Sequence, residues 1–119
     1  ESEDTALGKT VTSDESINST FSSTTHKGFT AAGSSITASQ CPAISTYVND
    51  TAQAGAQTDK FQEVLLNDSS GKLVYTTIAE PVGADGYRNG TQYDFQVIVP
   101  DDETPATITG YYFYVEIGN

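Results

Sequence analysis

The stretch Ala106-Thr-Ile-Thr-Gly-Tyr-Tyr-Phe-Tyr-Val-Glu-Ile117 decides the fold class predicted for this chain. Its side chains alternate with a period of two, so that one face carries Tyr111, Phe113, Val115 and Ile117 and the other carries Tyr112, Tyr114 and Glu116. This alternation predicts a long β-strand with its first face buried and its tyrosine face directed outward. The outward face is then the most obvious contact surface of the protein.

The turn residues upstream predict further strands. Two apolar runs, Phe61–Leu66 and Lys72–Ile78, flank the turn-forming sequence Asn67–Gly71, which indicates a β-hairpin. The run Tyr93–Val99 alternates again, and the residues expected to face inward are Tyr93, Phe95, Val97 and Val99. In the first half, weaker strands are predicted at Ile17–Ser22, Ser35–Ser39 and Ala43–Val48, followed by a polar loop, Asn49–Thr58.

Short strands separated by turns, without helical periodicity, predict an all-β protein built as an antiparallel β-sandwich. An immunoglobulin-like arrangement is the first choice and a jelly roll the second. The Cys…Trp…Cys pattern of antibody domains is absent, since the chain has one cysteine and no tryptophan. Residues 1–14 are polar and predict an N-terminal arm, and residues 15–119 predict one sandwich domain.

Charge limits the partners of the protein. The formal net charge is −11, from 16 acidic residues against five lysines and arginines. The cations are scattered singly, so the sequence predicts neither a nucleic-acid site nor an anionic-membrane site. No apolar run approaches the roughly 20 residues that span a bilayer, and no membrane insertion is expected.

Several features favour an exported protein. The sequence begins at Glu1 and contains no methionine, which indicates a mature domain cut from a precursor or an excised piece. Four Asn-x-Ser/Thr motifs are candidate N-glycosylation sites, at Asn18, Asn49, Asn67 and Asn89, although a chain so rich in Ser and Thr also produces such motifs by chance. We therefore expect an extracellular or cell-surface location.

The chain offers little catalytic chemistry. A nucleophilic site needs a base near the nucleophile, and His26 and Cys41 are the single histidine and the single thiol of the sequence. No motif surrounds either residue, so we expect a solvated loop histidine, a small buried thiol and no enzyme activity. One His and one Cys cannot supply a zinc site, and no cofactor is predicted. The run Asp101-Asp102-Glu103 is a weak calcium candidate, because a run of carboxylates on a turn is usually a solvated surface.

The functions left by the exclusion of catalysis are ligand binding and assembly with other molecules. Tyr112 and Tyr114, with Tyr87 and Arg88 on a predicted loop tip, form a candidate interaction surface. Tyrosines on a strand could stack on sugar rings, as in a carbohydrate-binding module, or could simply pack against neighbouring strands.

The assembly interpretation uses more of the chain. An acidic, Ser/Thr-rich sandwich with a polar leading arm resembles modules of surface filaments, surface layers and virion decorations. In architecture and composition it is also similar to the soluble domains of the archaeal cell-surface filament apparatus. The resemblance implies a non-catalytic structural or interaction module that self-associates or binds a protein partner. The alternative is a glycan-binding module that uses the exposed tyrosine face.

Overall fold

A computed structural model of the protein describes residues 16–45, 47–55, 58–80, 82–86, 90–98 and 112–117. These residues form one single-turn helix, α1 (Ile17–Thr20), and seven short strands. The strands are β1 (Phe29–Ala31), β2 (Ser34–Ile36), β3 (Ala43–Ser45), β4 (Gln62–Asn67), β5 (Leu73–Thr77), β6 (Ala84–Asp85) and β7 (Gln92–Tyr93). All strand pairs are antiparallel, which confirms the all-β class. The predicted arm, residues 1–14, lies outside the described residues.

The largest sheet has three strands in the order β3-β4-β5. Strands β4 and β5 form the predicted hairpin, with Asn67 opposite Leu73. The loop between them is closed by Asp68, whose Oδ1 accepts the backbone N–H groups of Ser70 at 2.8 Å and Lys72 at 2.9 Å. The hydrogen bond from the Lys72 N–H, followed by that from Ser70, holds the pKa of the Asp68 carboxyl below its usual range. The hairpin prediction is therefore confirmed, and its turn chemistry is local.

The β3 edge of this sheet is covered by the segment that follows α1. The Leu65 N–H donates to the Pro42 carbonyl at 2.9 Å, whereas the Ala43 N–H points the opposite way and donates to Ser23 at 2.7 Å. Successive residues of an antiparallel strand bond alternately to either side, so β3 is held between β4 and the segment that follows α1. The predicted strand at Ala43–Val48 is confirmed in its first half by β3.

The β1–β2 hairpin turns at Ala32 and Gly33, both with positive φ (49° and 75°). Two such residues between paired strands make the tight turn whose twist matches that of a hairpin. Gly33 adopts this conformation freely, but Ala32 does so with its Cβ crowded by backbone. Strand β1 was not predicted, and the strand predicted at Ser35–Ser39 overlaps β2 at Ser35 and Ile36.

The helix α1 replaces a predicted strand at Ile17–Ser22. Ser16 lies before the helix with extended backbone, and its hydroxyl accepts the Ser19 N–H at 3.2 Å. The Thr20 and Phe21 N–H groups then bond back to the Ser16 and Ile17 carbonyls. This N-cap offers the backbone a local partner, which outweighed the strand preference of the apolar residues around it.

The core of the described residues is unusually polar. Its buried apolar residues are Phe21, Ala43, Phe61, Val64 and Ala84. Its buried polar residues outnumber them by one and include two glutamates: Ser16, His26, Asp59, Gln62, Glu63 and Glu80. Acidic residues are seldom buried unless they have partners, so the contacts of these side chains are central to the fold.

The strand predicted over the C-terminal stretch is wrong where the structure describes it. Residues 112–117 belong to no strand and are exposed throughout, and residues 106–111 lie outside the described residues. Even Phe113 and Val115, expected to face inward, are 69% and 89% exposed. Alternation shows that a segment could form a half-buried strand, but a strand also needs a neighbour to pair with.

The run Tyr93–Val99 departs from its prediction in the same way. Its strand is limited to Gln92–Tyr93, and the side chains of Tyr93, Phe95 and Val97 are between 43% and 54% exposed. Val99 lies outside the described residues. The predicted loop Asn49–Thr58 begins with a turn at Asn49 and Asp50, and the residues on either side of them, Val48 and Thr51, form an isolated bridge.

Burial predicts where a valine contributes to stability. Val64 is fully buried at the centre of β4, so Val64→Ala should lower the free energy of unfolding by about 2 kcal/mol through lost apolar burial and a residual cavity. The matched change Val115→Ala should stay within about 0.5 kcal/mol, because Val115 is exposed. Urea denaturation of both variants measures the difference, and equal effects would contradict the placement of the C-terminal residues.

Candidate functional site

The strongest candidate for a contact site is the segment Tyr112–Ile117, hereafter the C-terminal segment. The exposed fractions of its aromatic and aliphatic side chains lie between 69% for Phe113 and 91% for Tyr114 and Ile117. One hydrogen bond ties the segment to the rest of the described fold, from the Ala32 N–H to Glu116 Oε2 at 2.8 Å. Such a continuous run of exposed apolar side chains is typical of a surface that another molecule covers.

The residues predicted to form the interaction surface differ in where the structure places them. Tyr112 and Tyr114 are exposed as expected, and the carboxylate of Glu116 is occupied by the β1–β2 turn. The structure adds Phe113, Val115 and Ile117 to the accessible surface, since neither face of the segment is buried. Tyr87 and Arg88 lie outside the described residues, as do the calcium candidates Asp101, Asp102 and Glu103.

Three of the four candidate glycosylation sites are described, and all three asparagines are exposed. Asn18 lies in α1 and Asn67 at the end of β4. The amide of Asn49 donates to Asp85 Oδ2 at 3.2 Å, so a glycan there would have to replace that hydrogen bond. Asn89 lies outside the described residues.

His26 is fully buried, which corrects the expected solvated loop histidine. Its Nε2 accepts two backbone N–H groups, from Gln40 at 3.1 Å and Cys41 at 3.0 Å. Nε2 must therefore be unprotonated, and the proton lies on Nδ1, which donates to the Lys27 carbonyl at 2.8 Å. Through these hydrogen bonds the ring connects the turn before β3 to the segment before β1.

This arrangement bears on the chemistry of Cys41. The thiol residue is half-buried and free, rather than fully buried as expected. Both ring nitrogens of His26 are occupied by backbone groups, so the ring as placed has no lone pair directed at the thiol.

Among the described residues, no group of three or more His, Cys, Asp or Glu side chains could hold a metal ion. In the same part of the chain, no helix is long and apolar enough to cross a membrane.

Glu80 forms the main ionic cluster of the described fold. Its side chain is 5% exposed, with Oε1 at 2.8 Å from Lys27 Nζ and Oε2 at 3.0 Å from Lys60 Nζ. The Glu80 N–H also donates to the Asp94 carbonyl at 2.7 Å. One carboxylate therefore connects the segment before β1, the approach to β4 and the region of β7.

The two buried glutamates are shifted in opposite directions. Burial raises the pKa of Glu80, but the hydrogen bonds and charges of Lys27 and Lys60 outweigh it and hold the pKa below its ordinary value. Burial likewise raises the pKa of Glu63, and the Ile98 N–H and the Thr77 hydroxyl offset this only in part. In the part of the chain that the structure describes, Glu63 forms no ion pair with a lysine or arginine, and its pKa stays above the ordinary value.

No local pattern of residues indicates this cluster. Lys27 and Lys60 are 53 and 20 residues from Glu80, and the five cations are scattered singly along the chain. A salt bridge at such separations has no local pattern, unlike pairs three or four residues apart on a helix. Tertiary structure alone brings these three residues together.

With the fold and these sites in view, comparison with known proteins identifies no relative. No protein-family model, no curated protein and no solved structure matches this chain.

The opposite pKa shifts of Glu80 and Glu63 predict opposite effects on stability when each glutamate is replaced by glutamine. At about pH 7, Glu80→Gln should lower the free energy of unfolding by about 1–3 kcal/mol, because it removes a buried charge between two lysines. At the same pH, Glu63→Gln should raise the free energy of unfolding, because burial disfavours the ionised form of Glu63 and a neutral amide avoids that cost. The contribution of Glu80 is complete above the ordinary Glu pKa of 4.5 and is lost as the pH falls through its lower folded pKa.

The contribution of Glu63 has the reverse dependence. The contribution of Glu63 to the free energy of unfolding is fully present below pH 4.5, the ordinary Glu pKa. It is lost as the pH rises through the raised pKa of Glu63 in the folded state. Denaturant titrations of both variants across this range measure the effects, and each difference from the parent should shrink on acidification. Effects of the same sign for the two variants at neutral pH would contradict the assignment.

Proposed function

We propose that this protein is a non-catalytic interaction module that acts outside the cytoplasm and self-associates through its C-terminal segment. The observation that carries the proposal is the exposure of Tyr112, Phe113, Tyr114, Val115 and Ile117 in one continuous run. Leaving these side chains in water forgoes apolar burial worth about 25 cal/mol per Å². A second copy that covers them recovers that free energy.

The pattern of the C-terminal segment suits strand addition. Its side chains alternate, and among the described residues it pairs with no strand, an arrangement that suits pairing with a neighbouring sheet. In β-augmentation the backbone hydrogen bonds supply affinity, and alternate side chains supply specificity. Docking onto another surface polymer would use the same residues.

Charge sets the conditions for association. A net charge of −11 makes identical copies repel one another, so the contact must rely on apolar area. Salt screens that repulsion and acid neutralises part of it. We therefore expect association to strengthen with ionic strength and with acidification.

Two further proposals concern architecture and location. An immunoglobulin-like sandwich, or second a jelly roll, would account for the burial of both faces of β4, where the neighbours Glu63 and Val64 point in opposite directions and are each covered. Export to the cell surface or a virion is supported by the exposed sequon residues Asn18, Asn49 and Asn67. A non-catalytic role is supported by the use of both His26 nitrogens in backbone contacts.

Sedimentation velocity over a concentration series tests self-association. The parent protein should form a concentration-dependent dimer or polymer, and Val115→Lys should weaken it by at least about tenfold by placing a charge in the contact. Val82→Lys is the matched control, because Val82 is 87% exposed against 89% for Val115 and lies outside the segment.

The control separates a specific contact from a general effect of charge. Each lysine lowers the net negative charge by one, so the general effect of charge is the same in both variants and favours association. Equal weakening by both variants would show that the C-terminal segment is not the specific contact. A parent that stays monomeric at every concentration and salt condition would sink the self-association proposal.

Glycan binding is the second candidate function, favoured by the exposure of Tyr112 (84%) and Tyr114 (91%). Tyrosine rings offer sugars an apolar face with a polar tip. The double variant Tyr112→Ser and Tyr114→Ser should then lose glycan-array signal while its circular dichroism is unchanged. Signal retained by this variant would exclude the tyrosines as the sugar platform.

A further inference from the structure

Strand β1 has an outer edge, since among the described residues it pairs with β2 alone. Ala31 and Ser34 flank the two-residue turn of this hairpin, and such a flanking pair exchanges its backbone hydrogen bonds. Backbone groups alternate in direction along a strand, so the N–H and carbonyl of Thr30 and the N–H of Ala32 point away from β2. These three groups are hereafter called the β1 edge.

The C-terminal segment of the same chain already touches the β1 edge. The Ala32 N–H donates to Glu116 Oε2 at 2.8 Å, which brings the segment to the end of β1. The contact is made by a side chain, and residues 112–117 add no strand to the hairpin. Thr30 makes no hydrogen bond to a described residue outside β2. The segment therefore reaches this edge without pairing along it.

The β1 edge is held in a fixed position. Phe29 packs its ring edge-on against His26, with the ring centroids 6.0 Å apart, and His26 is fully buried. Because side chains alternate along a strand, Phe29 is directed into the fold while Thr30 is exposed. A strand that docks beside β1 would meet an edge that is already in place.

The β1 edge lacks the features that usually prevent strand addition. Proteins protect exposed edges with lysine, proline or a bulge. The sequence Gly28-Phe-Thr-Ala-Ala32 contains no proline and no charged residue. In a protein with a net charge of −11, this neutral stretch also places no like charge directly opposite an acidic partner strand.

We propose that the β1 edge is the docking site for the C-terminal segment of a second copy of this chain, which adds to β1 as a further strand. This inference rests on the proposed self-association and names the surface that receives the segment. The incoming segment replaces Glu116 of the receiving copy at Ala32 and pairs its backbone with Thr30. A segment that reaches an edge in its own chain can reach the same edge in a neighbour, as in domain swapping.

Proline substitution tests the β1 edge with a matched control. Thr30→Pro removes an N–H that points away from β2, and proline is tolerated at such edge positions. It should weaken association in sedimentation velocity by at least about tenfold. Ser35 lies opposite Thr30 in the hairpin, and its N–H points to the outer edge of β2 by the same alternation. Ser35→Pro should therefore associate like the parent.

Amide hydrogen exchange measured by NMR gives a second test, on the unsubstituted protein. As the protein concentration rises through the range of association, exchange of the Thr30 amide should slow by about tenfold or more. Exchange of the Ser35 amide should keep its rate. This measurement decides the proposal even if Thr30→Pro fails to fold.

Two results would overturn the docking site and leave self-association standing. The first is equal association of Thr30→Pro and Ser35→Pro while Val115→Lys remains impaired. The second is protection of the Thr30 amide that does not change with concentration, which would show that this edge is covered within a single copy. A parent that is monomeric at every concentration would overturn both the proposed function and this inference.

Discussion

The bridge from Glu80 to Lys27 and Lys60 is the interaction on which the described fold depends. It joins three segments that are far apart in sequence, and its carboxylate is almost fully withdrawn from water. Gln62 reinforces it, since its Oε1 accepts the Lys27 N–H at 2.8 Å and its backbone carbonyl accepts the Ile78 N–H at 3.0 Å. Directional polar bonds therefore fix the arrangement of segments that apolar packing fixes in most small domains. Loss of either lysine would leave the buried carboxylate of Glu80 with one partner fewer, which costs more than the bond itself.

A polar core has a consequence for the surface. The buried apolar residues are few, whereas Tyr112, Phe113, Val115 and Ile117 remain exposed. The apolar area that would normally stabilise the monomer is thus available for contacts with another molecule. Gln62 also donates from Nε2 to the Asp59 carbonyl, which connects the ionic cluster to the chain before β4. The proposed contact surface thus follows from the way this core is built.

Some features could be predicted because their causes are local. The turn residues Asn67–Gly71 specify the β4–β5 hairpin, since Asp68 binds N–H groups two and four residues ahead of it. The exposure of Tyr112 and Tyr114 was predicted, although for a strand that does not form. The predicted strand at Ile17–Ser22 failed for a reason that is also local: the cap formed by Ser16 was not considered.

Composition and turn chemistry act over a few residues, so the all-β class, the acidic charge and the β4–β5 hairpin could be predicted from the amino-acid sequence. Which side chains are buried depends on tertiary contacts. The tertiary structure placed His26 inside as a link between backbone groups, drew Lys27 and Lys60 to Glu80, and left Asp59 Oδ2 without a partner. Alternation reports that a segment has two different faces. Which face is covered, if either, depends on contacts with residues far away along the chain, and no local pattern encodes them.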